Sequence, residues 1–173
     1  MAAPTTVAAL VIRIQAAFER FLPAIGRLSE DQLLDPRLPG GWSVKDVLAH
    51  LAWWDQWLLY TVQLSDRPGP IRRPPPLFDE IPADNDRWAD HMNARVYQFN
   101  RTRELSEIRA EFDIARQSVL QLVQSLSDAD VFDADGLSAV VGQPVAPLLL
   151  GIYEHYEEHA HEIELLHGQS GSG

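Results

Sequence analysis

Apolar residues recur at steps of three and four along most of this chain, while the strict alternation of a half-buried strand is scarce. A chain patterned in this way has helical faces to bury. Leu10, Ile14, Ala17, Phe18, Phe21 and Ile25 form the first stripe, on a helix expected from about Thr5 to Leu28, with Pro23 placed to kink or shorten it. The second helix has the clearest start: Ser43 as N-cap, Asp46 three residues on, and Trp42 where a hydrophobic staple residue belongs. It is expected to reach about Leu64, with Val47, His50, Trp54 and Trp57 along one side and Val44, Leu48, Leu51 and Leu58 beside them. Trp88, Met92, Val96 and Phe99 mark a helix over Asp84–Asn100. Thr102 reads as the N-cap of another, Arg103 to about Leu126, striped by Leu105, Ile108, Phe112, Ala115, Val119, Leu122 and Leu126. These two are either separate or one bent element. The last helix runs from about Ala146 to His167 on Leu148, Leu149, Ile152, Ile163 and Leu166.

The fold class is therefore all-α, a four-helix bundle with one or two shorter helices. Ser29 to Gln32 forms a capping box for a short turn. Arg67 to Ala83 holds six prolines, a stiff crossover between the second and third main helices and a candidate lid over one end of the bundle. A long crossing can join neighbours that do not run antiparallel. Ser127 to Pro144 is polar with two glycines and reads as a loop. The organisation expected is one bundle over 1–167 and a flexible tail over 168–173.

Composition then narrows the chemistry. Cysteine is absent, so any metal must take imidazole, carboxylate or water, and the chain suits a reducing compartment such as the cytoplasm. The formal net charge of −11 argues against a nucleic-acid partner, since an acidic surface repels a phosphate backbone. The start does not read as a signal peptide, and no 18-residue apolar run is present, so a membrane association is not expected.

Histidines carry the strongest chemical signal. His155 and His159 are four apart and in register with the apolar stripe Leu148, Ile152, Ile163 and Leu166, so both point into the bundle. Two imidazoles at that spacing can grip one divalent ion. His50 sits on the second helix three after Val47 and four before Trp54, in the equivalent position. Three neutral nitrogens suit Zn, Ni or Fe, with Mn less favoured, and leave a coordination position open. The plainer alternative is three core histidines that only hydrogen-bond. His161, His91 and His167 fall on other faces or at the end of the helix.

Glu158 and Glu162, which neighbour the pair (Glu162 three after His159), and Asp46, four before His50, are candidate partners for the far ring nitrogens; most of the acidic residues on the last helix read as a solvated face. A zinc-peptidase helix would carry glutamate directly after its first histidine; Tyr156 stands there instead, which speaks against proteolysis. The aromatic cluster Trp53, Trp54, Trp57 and Tyr60 reads mostly as core or dimer surface, with room for one member to line a pocket.

WSVKDVLAHL over Trp42–Leu51, together with YEHYEEH over Tyr153–His159, resembles the DinB-like superfamily of small helical-bundle proteins; the second-helix segment also resembles its ClbS/DfsB branch. The likeness spans nearly the whole chain, but only these two segments are specific. It implies a four-helix bundle, often a homodimer, with a divalent metal on His50, His155 and His159. It also implies a small-molecule substrate and a metal-dependent enzyme, foremost an S-transferase using a low-molecular-weight thiol. A hydrolase of a reactive small molecule and a non-enzymatic metal- or ligand-binding stress protein remain alternatives. The general base is unassigned, and the fold alone does not select among these.

Overall fold

We describe the chain from a computed structural model, covering residues 2–63, 74–78 and 87–169 (backbone only for 63 and 167–169). Among these residues there are eight α-helices and no strand. Helix α1 (Val7–Gly26) starts on Thr6, whose side chain accepts from the Ala9 amide, and it runs on through exposed Pro23. Helix α2 (Glu30–Leu34) has the expected capping box, with Ser29 and Gln32 satisfying each other's amides. Helix α3 (Val44–Gln63) follows a tight turn over Pro39–Gly41. Helices α4 (Trp88–Asn100) and α5 (Leu105–Ser125) are separate elements. The short α6 (Asp128–Phe132) and α7 (Leu137–Val141) lead to α8 (Val145–Gln169).

Four of these make the bundle: α3 packs on α5, α1 on α8, and the ring closes through α1 with α5 and α3 with α8. Side-chain pairs give the directions. Arg13 meets Glu157 and Arg20 meets Glu164, so α1 and α8 run the same way. Phe21 meets Phe112 while Arg116 lies over Phe18, so α1 and α5 are antiparallel. Lys45 reaches the turn before α5 and Gln56 pairs with Glu111, so α3 and α5 are parallel neighbours. Such a pair needs a long crossing. Most of the proline-rich 67–83 segment lies outside the described residues; Pro74–Phe78 packs on α3, with Trp53 Nε1 donating to the Pro76 carbonyl at 2.6 Å and Phe78 against Tyr60.

The core is continuous from Leu10, Ile14 and Phe21 through Leu48, Leu51 and Leu59 to Phe112, Leu149, Tyr156 and Ile163. A satellite cluster of Trp53, Met92 and Val96, with Trp54, Trp57, Leu77 and Trp88 against it, glues α4 to α3. This accounts for the tryptophan cluster as packing within one chain.

The structure corrects three local expectations. Residues 127–144 are not a plain loop: a reciprocal Ser127–Asp130 cap starts α6, and Val131 and Leu137 are buried in the core, so apolar burial outweighs the polar composition. Thr102 is not the cap of α5; Glu104 holds that position without a side-chain bond, and the preceding turn is satisfied by buried Lys45, which donates to the Arg101 and Arg103 carbonyls at 2.9 and 3.0 Å. Helix α8 extends to Gln169, taking in two residues assigned to the tail; 170–173 lie outside the described residues.

Candidate metal centre

The site is assembled where α3 and α8 cross. Its entrance is shaped by the turn before α3, in which Gly40 and Gly41 both adopt positive φ, 74° and 75°, where a Cβ would be strained. That turn, closed by Leu38 bonding to the Trp42 carbonyl, delivers Trp42 to the start of α3. There Asp46 accepts from the Ser43 amide and hydroxyl at 2.8 and 2.5 Å, while the Ser43 hydroxyl accepts from the Asp46 amide. The capping box read from the sequence is present and fixes the first turn of the helix that carries His50.

His50, His155 and His159 come together, each offering a ligand atom such that all three atoms lie within 4.8 Å of one another. His50 Nε2 is 2.7 Å from His155 Nε2, and the rings stand nearly perpendicular, at 86°. Two Nε2 atoms so close cannot both carry protons. Burial, then the mutual charge of the other two imidazoles, holds the His50 pKa well below its ordinary value; burial, then His159, brings His155 down to about 3. His50 and His155 are thus held neutral, each with a lone pair to offer rather than as imidazolium donors.

Around it, His159 Nδ1 is 2.7 Å from Glu162 Oε2. The expected Glu162 contact is therefore formed, and it orients the ring with Nδ1–H toward the carboxylate, which leaves Nε2 as the His159 atom available to the cluster. Asp46 does not reach His50: it is committed to the cap, and His50 Nδ1 is buried without a hydrogen-bond partner among the described residues. The cavity over the cluster has a volume of about 370 Å³, with Trp42, Trp54, Asn93, Glu158 and Glu162 in its walls. Trp42 stacks on Tyr97 at 5.8 Å and 12°, and Trp54 Nε1 donates to Asn93 Oδ1 at 2.9 Å, so both tryptophans are braced by α4. Trp54 is the member of the aromatic cluster that lines the pocket. His161 and His91 are exposed, away from the site.

Sequence reading missed a second polar group close by. Asp55 is 5% exposed and accepts from the Tyr156 hydroxyl at 2.7 Å. Burial raises its pKa from 3.8 to about 7, against the opposing Tyr156 bond and the Arg116 charge; Tyr156 is pushed well above its ordinary value, by burial and then by Asp55. The signal was present: Leu51, Asp55, Leu58 and Val62 share the buried face of α3, so an acid stands in an apolar stripe. Tyr156, noted only as the residue that breaks a peptidase motif, is fully buried among Phe18, Phe21 and Phe112.

Fold and site together define a helical-bundle protein with a part-buried three-histidine cluster. The chain belongs to the DinB superfamily, whose family model matches residues 13–163. No curated protein matches the sequence. Among solved structures, the fold resembles an uncharacterised protein from Escherichia coli UTI89, with a TM-score of 0.75 and 11% identity, covering 98% of this chain and 96% of that one. It also resembles the colibactin self-resistance protein ClbS, crystallised in complex with a dsDNA, with a TM-score of 0.73 and 14% identity over 96% and 98% of the two chains. At these identities the likeness concerns the fold.

The ClbS complex overturns one expectation. Net charge was taken to exclude a nucleic-acid partner, yet a protein of this fold holds a dsDNA. Net charge is a sum over the whole surface, and contact is decided by local potential, so −11 does not exclude such a partner. Among the described residues no helix is long and apolar enough to cross a membrane.

Proposed function

We propose that the protein is a divalent-metal-dependent enzyme acting on a small molecule, with His50, His155 and His159 as the metal ligands and a thiol-dependent S-transferase reaction as the leading assignment. One observation carries this reading: three convergent imidazoles, two of them held neutral by burial, at the floor of an open cavity. The donor set fits the group, because a transition-metal ion such as Zn, Ni or Fe requires unprotonated nitrogen. A bound divalent ion would supply an open coordination position at which a thiol or water is acidified.

The chain's own residues do the rest. Glu162 holds the His159 Nδ1 proton and aims that ring. The Ser43–Asp46 cap and the α3–α8 crossing hold His50 against His155. Trp42 and Trp54 add apolar surface to the walls of the open cavity over the histidines. We read the cysteine-free chain as cytoplasmic, where low-molecular-weight thiols are reduced, and as a homodimer on the resemblance to its superfamily.

Elemental analysis of purified protein, followed by turnover of an electrophile with a panel of thiols, tests the proposal. One metal per chain and a thiol-dependent rate absent from the His50→Ala/His155→Ala/His159→Ala variant are expected. No stoichiometric metal, or equal rates, would sink it. The likeness to a self-resistance protein supports a second reading, hydrolysis of a reactive small molecule; turnover without thiol separates the two.

A further inference from the structure

A second cavity lies on the far side of the wall made by His155 and Trp54. It is a cleft of about 240 Å³ that opens beside exposed Pro147, and its lining is apolar (Trp57, Leu58, Leu148 and Ile152 among others) except for His155 and Asp55. Two features of this space are unusual for a packed helix pair. The first is Gly151. It sits inside α8, half-buried, where glycine costs roughly 1 kcal/mol of helix stability relative to alanine. A Cβ added there would meet nothing within 4 Å, so no close packing demands the glycine. What it does is leave the cavity open.

The second is Asp55. A buried carboxylate is normally paired with a cation or held by several donors. This one has a single hydrogen bond, from Tyr156, and among the described residues it forms no ion pair. Arg116 is the nearby cation, but its guanidinium pairs with Asp113 at 3.3 Å and lies over the Phe18 ring, and its Nε has no hydrogen-bond partner among the described residues. The carboxylate therefore feels the Arg116 charge only at a distance and has no paired cation among the described residues, beside a space also lined by Trp54 and Trp57, residues that favour a cation.

We propose that this cavity is a binding site for a small apolar amine, its ammonium group paired with Asp55 and its hydrocarbon body against Trp54, Trp57 and the opening left by Gly151. A ligand seated there also touches His155, so it abuts the histidine cluster from behind. It shares one lining residue, His155, with the histidine cluster, and His50 and His159 lie outside its lining.

Benzylamine and benzyl alcohol are the probes, nearly equal in shape and different in charge. Each is titrated at pH 8 by calorimetry and tryptophan fluorescence into wild type, Asp55→Asn and Gly151→Leu. Wild type is expected to bind the amine at least ten-fold more tightly than the alcohol. Asp55→Asn, which keeps an acceptor for Tyr156, erases that preference, and Gly151→Leu, which fills the space, removes binding of both. Equal affinity for the two probes in wild type, or amine binding that survives Gly151→Leu, overturns the proposal; the wild-type comparison decides it even if a variant does not fold. Metal binding by the same proteins separates this site from the metal reading. His159→Ala should lose metal and keep the amine, whereas a wild type that binds amine but no metal refutes only the metal assignment.

Discussion

Asp55→Asn gives the sharpest stability prediction. The buried carboxyl has a folded-state pKa of about 7 against an ordinary 3.8. A raised pKa in an acid means that stability is complete below 3.8 and is lost as pH climbs through about 7, because the unfolded chain releases the proton first. With those two values the ionisation costs about 2 kcal/mol at pH 5 and about 4 kcal/mol at pH 8. Asparagine is nearly isosteric and does not ionise. Its extra N–H donors add a cost of roughly 1–3 kcal/mol if left unsatisfied, but that cost does not vary with pH. The signature is therefore a difference of differences: the stability of Asp55→Asn relative to wild type should improve by roughly 2–3 kcal/mol from pH 5 to pH 8. The buried histidines titrate in both proteins and cancel. Urea unfolding followed by far-UV circular dichroism at the two pH values, with matching slopes, measures it. A gap that is the same at both values, or that shrinks at pH 8, would mean the carboxyl titrates normally and would refute the argument. The amine site gives the penalty a purpose, since a group that destabilises the free protein marks a place held for something else.

Three further outcomes follow from contacts described above. Glu162→Gln keeps the shape but loses the charge that holds the His159 Nδ1 proton, so metal affinity, read by chelator competition, should fall by about 10–100-fold with the fold intact. Lys45→Met leaves the Arg101 and Arg103 carbonyls without their donor in a part-buried turn; chemical unfolding should show a loss of about 1–3 kcal/mol. Arg20→Ala removes a salt bridge whose partners are 43% and 41% exposed, and the same assay should register less than about 1 kcal/mol.

The helices and the inward direction of the three histidines were legible in the sequence because both are local. A period of three to four residues, a serine with an acid three residues on, and two histidines four apart each constrain a single helix. The same locality explains the errors. A polar count over 127–144 could not see that Val131 and Leu137 would find a core to enter. A threonine before a helix looked like its cap because the lysine that satisfies that turn is more than fifty residues away. Only the tertiary structure decided that α3 and α8 cross with His50 Nε2 at 2.7 Å from His155 Nε2, that Asp46 stays at its cap and leaves His50 Nδ1 unpaired, and that Asp55 is enclosed with Tyr156. The first and last are distances between residues about a hundred positions apart, and the packing of one helix face on another, not the periodicity of either, sets them.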